Sequence, residues 1–259
     1  MSKSISVEHQ DSIAFVELRH SDRFNAMSVG MWRQLRTVFE GIQRDARVRC
    51  VVVFGADHFC AGGDISEYPD FRFDKERLRH FHEVDVWGGL QAMLDCDVPI
   101  VAQIAGNCMG AGVEIASCCD MRLAAENARF GAPIARLGFP MAPREAALVI
   151  RSVGEATARE MLLCAQVLDA ATMYQRGFLN QVVPQDDLEH VVRSIADRIK
   201  LLAPRAARQN KQTFRALAPV LQAQAAIEMI ANTYDYADSE EHREGIGAFL
   251  AKRAPRFTP

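Results

Sequence analysis

Gly106-Asn107-Cys108-Met109-Gly110-Ala111-Gly112-Val113-Glu114 follows directly on the apolar run Ile100-Val101-Ala102-Gln103-Ile104. The order is a strand, a bend of very small residues and the start of a helix. A similar order occurs earlier, where Cys50-Val51-Val52-Val53-Phe54 leads into Phe59-Cys60-Ala61-Gly62-Gly63-Asp64-Ile65. Bends with little or no side chain let backbone N–H groups approach a ligand closely. Two of them can aim two donors at one oxygen, which is what a developing oxyanion requires. Ala111 starts the second helix, so its N–H has no intrahelical partner, and Gly63 is placed to supply the other.

Glu114 is the acid beside the second bend, inside the otherwise apolar Val113-Glu114-Ile115-Ala116. Two readings stand: a structural acid that pairs with a base or accepts helix-start N–H groups, and a general acid/base next to an oxyanion donor. The helix N-terminus lowers its pKa and burial raises it, so the sequence leaves the net direction open. Cys60 and Cys108 also lie in the bends, without an activating neighbour in sequence. The seven cysteines, odd in number and without a C-x-x-C pair, read as buried free thiols of a reducing compartment.

Outward from the bends, Ser12 to Leu18 reads as a strand paired with Ile5–Glu8 across a turn at Gln10-Asp11. Ser28 reads as an N-cap before a helix that carries Met31, Trp32, Leu35, Val38, Phe39 and Ile42 on one face. Tyr68 to Asp85, charged and interrupted by Pro69, predicts an irregular mobile segment beside the first bend. Met121–Ala124 and Gln181–Val183 read as strands, and Arg144–Val153 and Glu155–Gln166 as helices. From Asp186 on the chain reads as helix alone, with Pro204 and Pro219 as separators. The whole predicts an α/β fold, with parallel pairing in the middle and a hairpin at the start. A dinucleotide fold is disfavoured, because the glycine order is G-x-x-x-G-x-G rather than G-x-G-x-x-G, and no phosphate-loop motif occurs.

The 259 residues suit one large domain or one with a small appendage. A net charge of −3 with interspersed signs gives no basic stripe, so nucleic acid is not the expected partner. The apolar stretch 98–119 contains Pro99, Gln103, Asn107 and Glu114 and has acidic flanks, so it reads as a buried strand and helix rather than a membrane span. Met1 to Glu8 begins on strand-like alternation and not on an apolar or Arg/Ser-rich leader. Cytoplasmic localisation without membrane association is expected, and no motif points to a metal, flavin, nicotinamide or pyridoxal cofactor.

Cys60-Ala61-Gly62-Gly63-Asp64, then 105–120, then Ala128-Arg129-Phe130-Gly131-Ala132-Pro133, resemble the crotonase (enoyl-CoA hydratase/isomerase) superfamily. The resemblance extends to Asn25-Ala26-Met27, 177–183 and 244–253. It implies a spiral of ββα units over residues 1–200 and a C-terminal helical trimerisation region over 201–259, assembled as a homotrimer or a dimer of trimers. It implies an acyl-CoA thioester substrate, with coenzyme A as part of that substrate and no separate cofactor. By position, Gly63 and Ala111 donate to the thioester oxygen and Glu114 matches one of two hydratase glutamates. Ala61 and the stretch Gly63, Asp64, Ile65 and Ser66 line the acyl and pantetheine path. Lys252 and Arg23 meet the CoA polyanion.

The second hydratase glutamate would follow Pro133, where this chain has Ile134. The glycine-rich stretch expected further on reads Met141-Ala142-Pro143-Arg144-Glu145. Glu145, Tyr68, Asp85, His82 and His58 are therefore the candidate replacements. Hydration of a 2-enoyl-CoA to a 3-hydroxyacyl-CoA is the leading expectation. The alternatives are an enoyl-CoA isomerase, an acyl-CoA decarboxylase or a thioester hydrolase using one glutamate, or a non-catalytic acyl-CoA-binding protein.

Overall fold

The computed structural model describes residues 3–217 and 232–257. Pro219, expected as a helix separator, lies outside them. Strand β1 (Ser4–Gln10) turns at Asp11 into β2 (Ile13–Arg19), and the two pair antiparallel. Then β3 (Cys50–Phe54), β4 (Ile100–Ile104), β6 (Met121–Ala125) and β9 (Gln181–Val183) add in parallel, giving the order β1-β2-β3-β4-β6-β9. A second sheet, β5-β7-β8, is built from Asn107–Met109, Arg129–Gly131 and Val167–Asp169.

Both faces of the large sheet are buried, which is why β3 reads as an unbroken apolar run. Val51, Val53, Ile100, Ala102 and Ile104 face the main core, with Trp32, Leu35 and Phe39 of α1 (Val29–Arg44). Cys50, Val52, Val101 and Leu123 face the other way, onto Leu188, Val192 and Ala196 of α8 (Leu188–Lys200). The expected N-cap holds, since the Ser28 hydroxyl accepts from the Met31 N–H.

The expectation of an irregular segment from Tyr68 to Asp85 fails. Ile65–Asp70 forms a 3₁₀ turn that takes in Pro69. Helix α2 (Lys75–His80) then runs through one π turn (Phe81–Val86) into α3 (Trp87–Asp95). Leu78, Phe81, His82, Asp85, Val86, Leu90 and Met93 form the buried face. Two of these, His82 and Asp85, are polar, and this masks the apolar periodicity. Helix α6 (Glu155–Leu163) ends before Gln166, and Val167 starts β8. The first bend leads into the 3₁₀ turn rather than an α-helix, and the second contains the short strand β5.

Candidate active site

The two bends meet. The Cys60 N–H donates to the Asn107 carbonyl at 2.9 Å and the Met109 N–H to that of Cys60 at 2.8 Å. A Cβ on Gly112 would lie 2.6 Å from the Cys60 carbonyl oxygen, so only glycine permits this approach. Gly110, with φ +46° and ψ −109°, turns the chain from β5 into α4 (Ala111–Cys118), a conformation that disfavours any side chain.

Ala111 is therefore the first residue of a helix whose N-terminus is aimed by Gly110. Among the described residues, neither the Ala111 nor the Gly63 N–H has a hydrogen-bond partner, whereas the neighbouring Gly110 N–H donates to Gly131 and the Asp64 N–H to Met27. Both residues line one cavity of about 890 Å³, which opens past Arg23, Phe249 and Lys252 and runs inward to Glu114, His82 and Trp32. All the residues expected at the site border it: Arg23, Ala61, Gly63, Asp64, Ile65, Ser66, Ala111, Glu114, Ile134 and Lys252. Asp64 caps the 3₁₀ turn by accepting from Ser66 and is bound by Lys3 Nζ at 2.6 Å. Burial works against its ionisation, yet Lys3 and Ser66 prevail and hold its carboxyl below the ordinary value.

Glu114 projects from the first turn of α4 and is 7% exposed. Its carboxyl has no hydrogen-bond partner among the described residues. Burial, and then the charge of Glu145, push its pKa well above the ordinary value, with Arg72 opposing. Glu145 is 4% exposed and comes from the first turn of α5 (Pro143–Val153). Burial raises its pKa too, again against Arg72. Its Oε1 lies 2.8 Å from Nδ1 of His82, which burial keeps neutral, with its pKa well below the usual imidazole value. That pairing assigns the His82 proton to Nδ1 when Glu145 is ionised, and Nε2 is left buried without a partner. The two acids thus face one cavity together with the two free amide donors.

Of the other candidates, Tyr68 also lines the cavity. A Cβ on Gly63 would overlap its hydroxyl, and burial pushes its pKa up to about 12. Asp85 is occupied elsewhere by Arg33 at 2.7 Å, and Nδ1 of His58 accepts from the Asn107 N–H at 2.9 Å. Burial raises the Cys60 thiol to about 12 and Cys108 well above its ordinary value, so neither offers a thiolate nucleophile at neutral pH.

Sequence reasoning passed over Arg72. It is 1% exposed and forms part of the cavity wall. Its guanidinium carbon stands 3.9 Å from the ring centroid of Phe139 and 4.4 Å from that of Tyr68. Its Nε donates to Nε2 of His242 at 3.4 Å and its Nη2 to the Tyr236 hydroxyl at 3.2 Å. The Nδ1 of His242 pairs with the Ala237 carbonyl, and burial lowers this imidazole to about 4, so both acceptors of Arg72 are neutral. His242 belongs to the C-terminal helix Glu240–Leu250, which packs Gly245 against the backbone of Leu137 and Gly138 and carries Phe249 and Leu250 to the cavity mouth.

Among the described residues no cluster of His, Cys, Asp and Glu is suited to a metal, and no helix is long and apolar enough to cross a membrane. The model of the enoyl-CoA hydratase/isomerase family matches residues 8–259. A probable enoyl-CoA hydratase of Mycobacterium bovis is 30% identical over 258 residues, covering 99% of this chain and 98% of the relative. The 2,3-dehydroadipyl-CoA hydratase of Escherichia coli is 32% identical over 253 residues, covering 97% of each. The crystal structure of an enoyl-CoA hydratase/carnithine racemase from Magnetospirillum magneticum superposes with a TM-score of 0.81 at 35% identity, covering 100% of this chain and 96% of that one.

Proposed function

The chain belongs to the enoyl-CoA hydratase/isomerase family and has its crotonase fold, and on that premise we propose that it hydrates a 2-enoyl-CoA to a 3-hydroxyacyl-CoA. It is an acyl-CoA thioester enzyme of the hydratase/isomerase type. The choice of hydration within that type rests on one observation: two buried carboxyl groups, Glu114 and Glu145, line the cavity that holds the unpartnered Gly63 and Ala111 amides.

In this reading the pair shares one proton. Glu145 accepts a hydrogen bond from His82 and ionises first, while Glu114, with no such donor, keeps the proton. Carboxylate 145 takes a proton from water as the water oxygen attacks Cβ. The double-bond electrons move toward the thioester carbonyl, whose oxygen becomes an enolate held by the Gly63 and Ala111 amides. Glu114 then delivers its proton to Cα. Glu145 returns its proton to Glu114 through solvent, and the site is restored. Ile134 leaves its part of the wall apolar, so the second acid of the pair comes from α5.

The exposed Phe214 and Leu217 of α9 (Pro204–Leu217), with Leu201 and Leu202, suit contact between copies of the chain in the trimer we expect. Six of the seven cysteines are buried and free, which suits a cytoplasmic location.

The test is turnover of a short- to medium-chain enoyl-CoA panel, with product identification. Hydration is expected in the wild type, and loss of about 10²- to 10⁴-fold in Glu114→Gln. Wild-type rates in that variant, or a shifted double bond as the sole product, would replace this reading.

A further inference from the structure

Arg72 places a full positive charge in the wall of the acyl cavity with nothing anionic bound to it. Among the described residues no carboxylate lies within salt-bridge distance of its guanidinium, and both of its hydrogen-bond acceptors are neutral. The nearby acids have other partners or none: Glu145 is paired with His82, Glu83 with Tyr234 and Arg144, and Glu114 has no hydrogen bond. Contact with the Phe139 and Tyr68 rings offsets only part of the cost of burying the charge. A tie between this segment and the C-terminal helix needs no charge, because a neutral side chain could fill the same space. The guanidinium donates in its own plane, and its Nη1 makes no hydrogen bond among the described residues. A planar two-oxygen anion is the partner that such an edge fits.

Taking the acyl-CoA reading of this cavity as its premise, we propose that the acyl group it accepts carries a carboxylate remote from the thioester, seated on Arg72. The natural substrate class is then the CoA thioester of an unsaturated dicarboxylic acid rather than of a simple fatty acid.

Binding separates this from the reaction chemistry. Glutaryl-CoA and adipyl-CoA are compared by calorimetry with pentanoyl-CoA and hexanoyl-CoA, none of which can be hydrated. The wild type should bind the better carboxylated ligand about 10- to 100-fold more tightly than its neutral counterpart, the range for a charge-assisted hydrogen bond. In Arg72→Met that ratio should fall to near one, and in Arg72→Lys part of it should return. Equal or weaker binding of both carboxylated ligands by the wild type overturns the proposal, whether or not the variants fold. A ratio unchanged in a folded Arg72→Met protein also overturns it. If the ratio holds while no enoyl-CoA of either kind is hydrated, the hydratase reading fails and the carboxylate seat stands. If hydration proceeds with no charge preference, the reverse holds.

Discussion

Glu145→Gln is the most direct test of the acid pair. Glutamine keeps the size of the side chain and the Oε1 that accepts from His82 Nδ1 at 2.8 Å, so the contact between the π turn and α5 survives. The substitution removes only the proton that can move. If Glu145 activates water, kcat should fall about 10²- to 10⁴-fold, or about 2.7–5.4 kcal/mol of barrier, while KM changes little because the amides that bind the thioester are intact. The pH profile carries the same information independently. Burial pushes Glu145 up to about 8, so wild-type kcat/KM should rise with pH through the first ionisation of the pair and fall again as the second proton leaves. In Glu145→Gln the rise tied to that first ionisation should vanish. The remaining Glu114 should titrate lower, because the neighbouring charge that helped raise it is gone. The assay is the loss of conjugated enoyl-thioester absorbance across about five pH units spanning the Glu145 ionisation at about 8. A variant within about threefold of wild type at every pH would refute the role of Glu145, since an acid–base group contributes far more.

Ala111→Pro deletes one oxyanion donor at the first helical position, where proline is tolerated. It should lower kcat about 10²- to 10³-fold with a near-native melting temperature, and unchanged kcat would remove Ala111 from the site. Ile134→Glu puts an acid where the resemblance places the second glutamate. Since Glu145 already fills that role, the variant should gain no activity, and a rise above about tenfold would move the role to position 134. Stability should also respond to pH. The folded Glu145 pKa, about 8, exceeds its ordinary 4.5, so its protonated form favours the fold at low pH and that contribution is lost as pH rises through about 8. His82 and His242, both lowered from 6.5, act in the opposite sense below that value, so the clean window is pH 6.5–8. Urea melts there should show wild-type stability falling by up to about 1.4 kcal/mol per pH unit for each such proton. Glu145→Gln should have a flatter slope, and an identical slope would contradict the raised pKa.

The bends and Glu114 were legible because they depend on local chemistry. Gly110 needs its positive φ, Gly112 needs its missing Cβ, and an acid in an apolar helix start stands out in a short window of sequence. The apolar runs of β3 and β4 were legible for the same reason. The three-residue strands β5, β7 and β8 were not, since three residues carry no period, whereas the equally short β9 was marked by its Val182-Val183 pair after the break at Gly177. Glu145 was only one candidate among several, because its partner His82 lies 63 positions away and the helix between Lys75 and Asp95 hides its periodicity behind a polar buried face. Arg72 sits in a charged stretch that reads as solvated. Its burial depends on Phe139, Tyr236 and His242, the last two brought in from 164 and 170 positions away. Local pattern located the oxyanion donors, and tertiary packing supplied the second acid and the cation.

Glu114, Glu145 and Arg72 are electrostatically linked, so the acid pair and the carboxylate seat do not act as independent parts. Arg72 lowers the pKa of both Glu114 and Glu145 against the burial that raises them. An acyl carboxylate bound to Arg72 offsets that field with its own negative charge. Both ionisations must then move upward in the complex. The pH dependence of kcat, which reports the bound enzyme, should therefore lie at higher pH for a carboxylated enoyl-CoA than for a neutral one of equal length. The profile of kcat/KM, which reports the free enzyme, should be the same for both. In Arg72→Met the free-enzyme profile itself should shift upward, because the cation that favoured ionisation is absent. Coincident kcat profiles for the two substrates in the wild type would mean that the carboxylate binds away from Arg72 or that Glu114 and Glu145 do not set the rate.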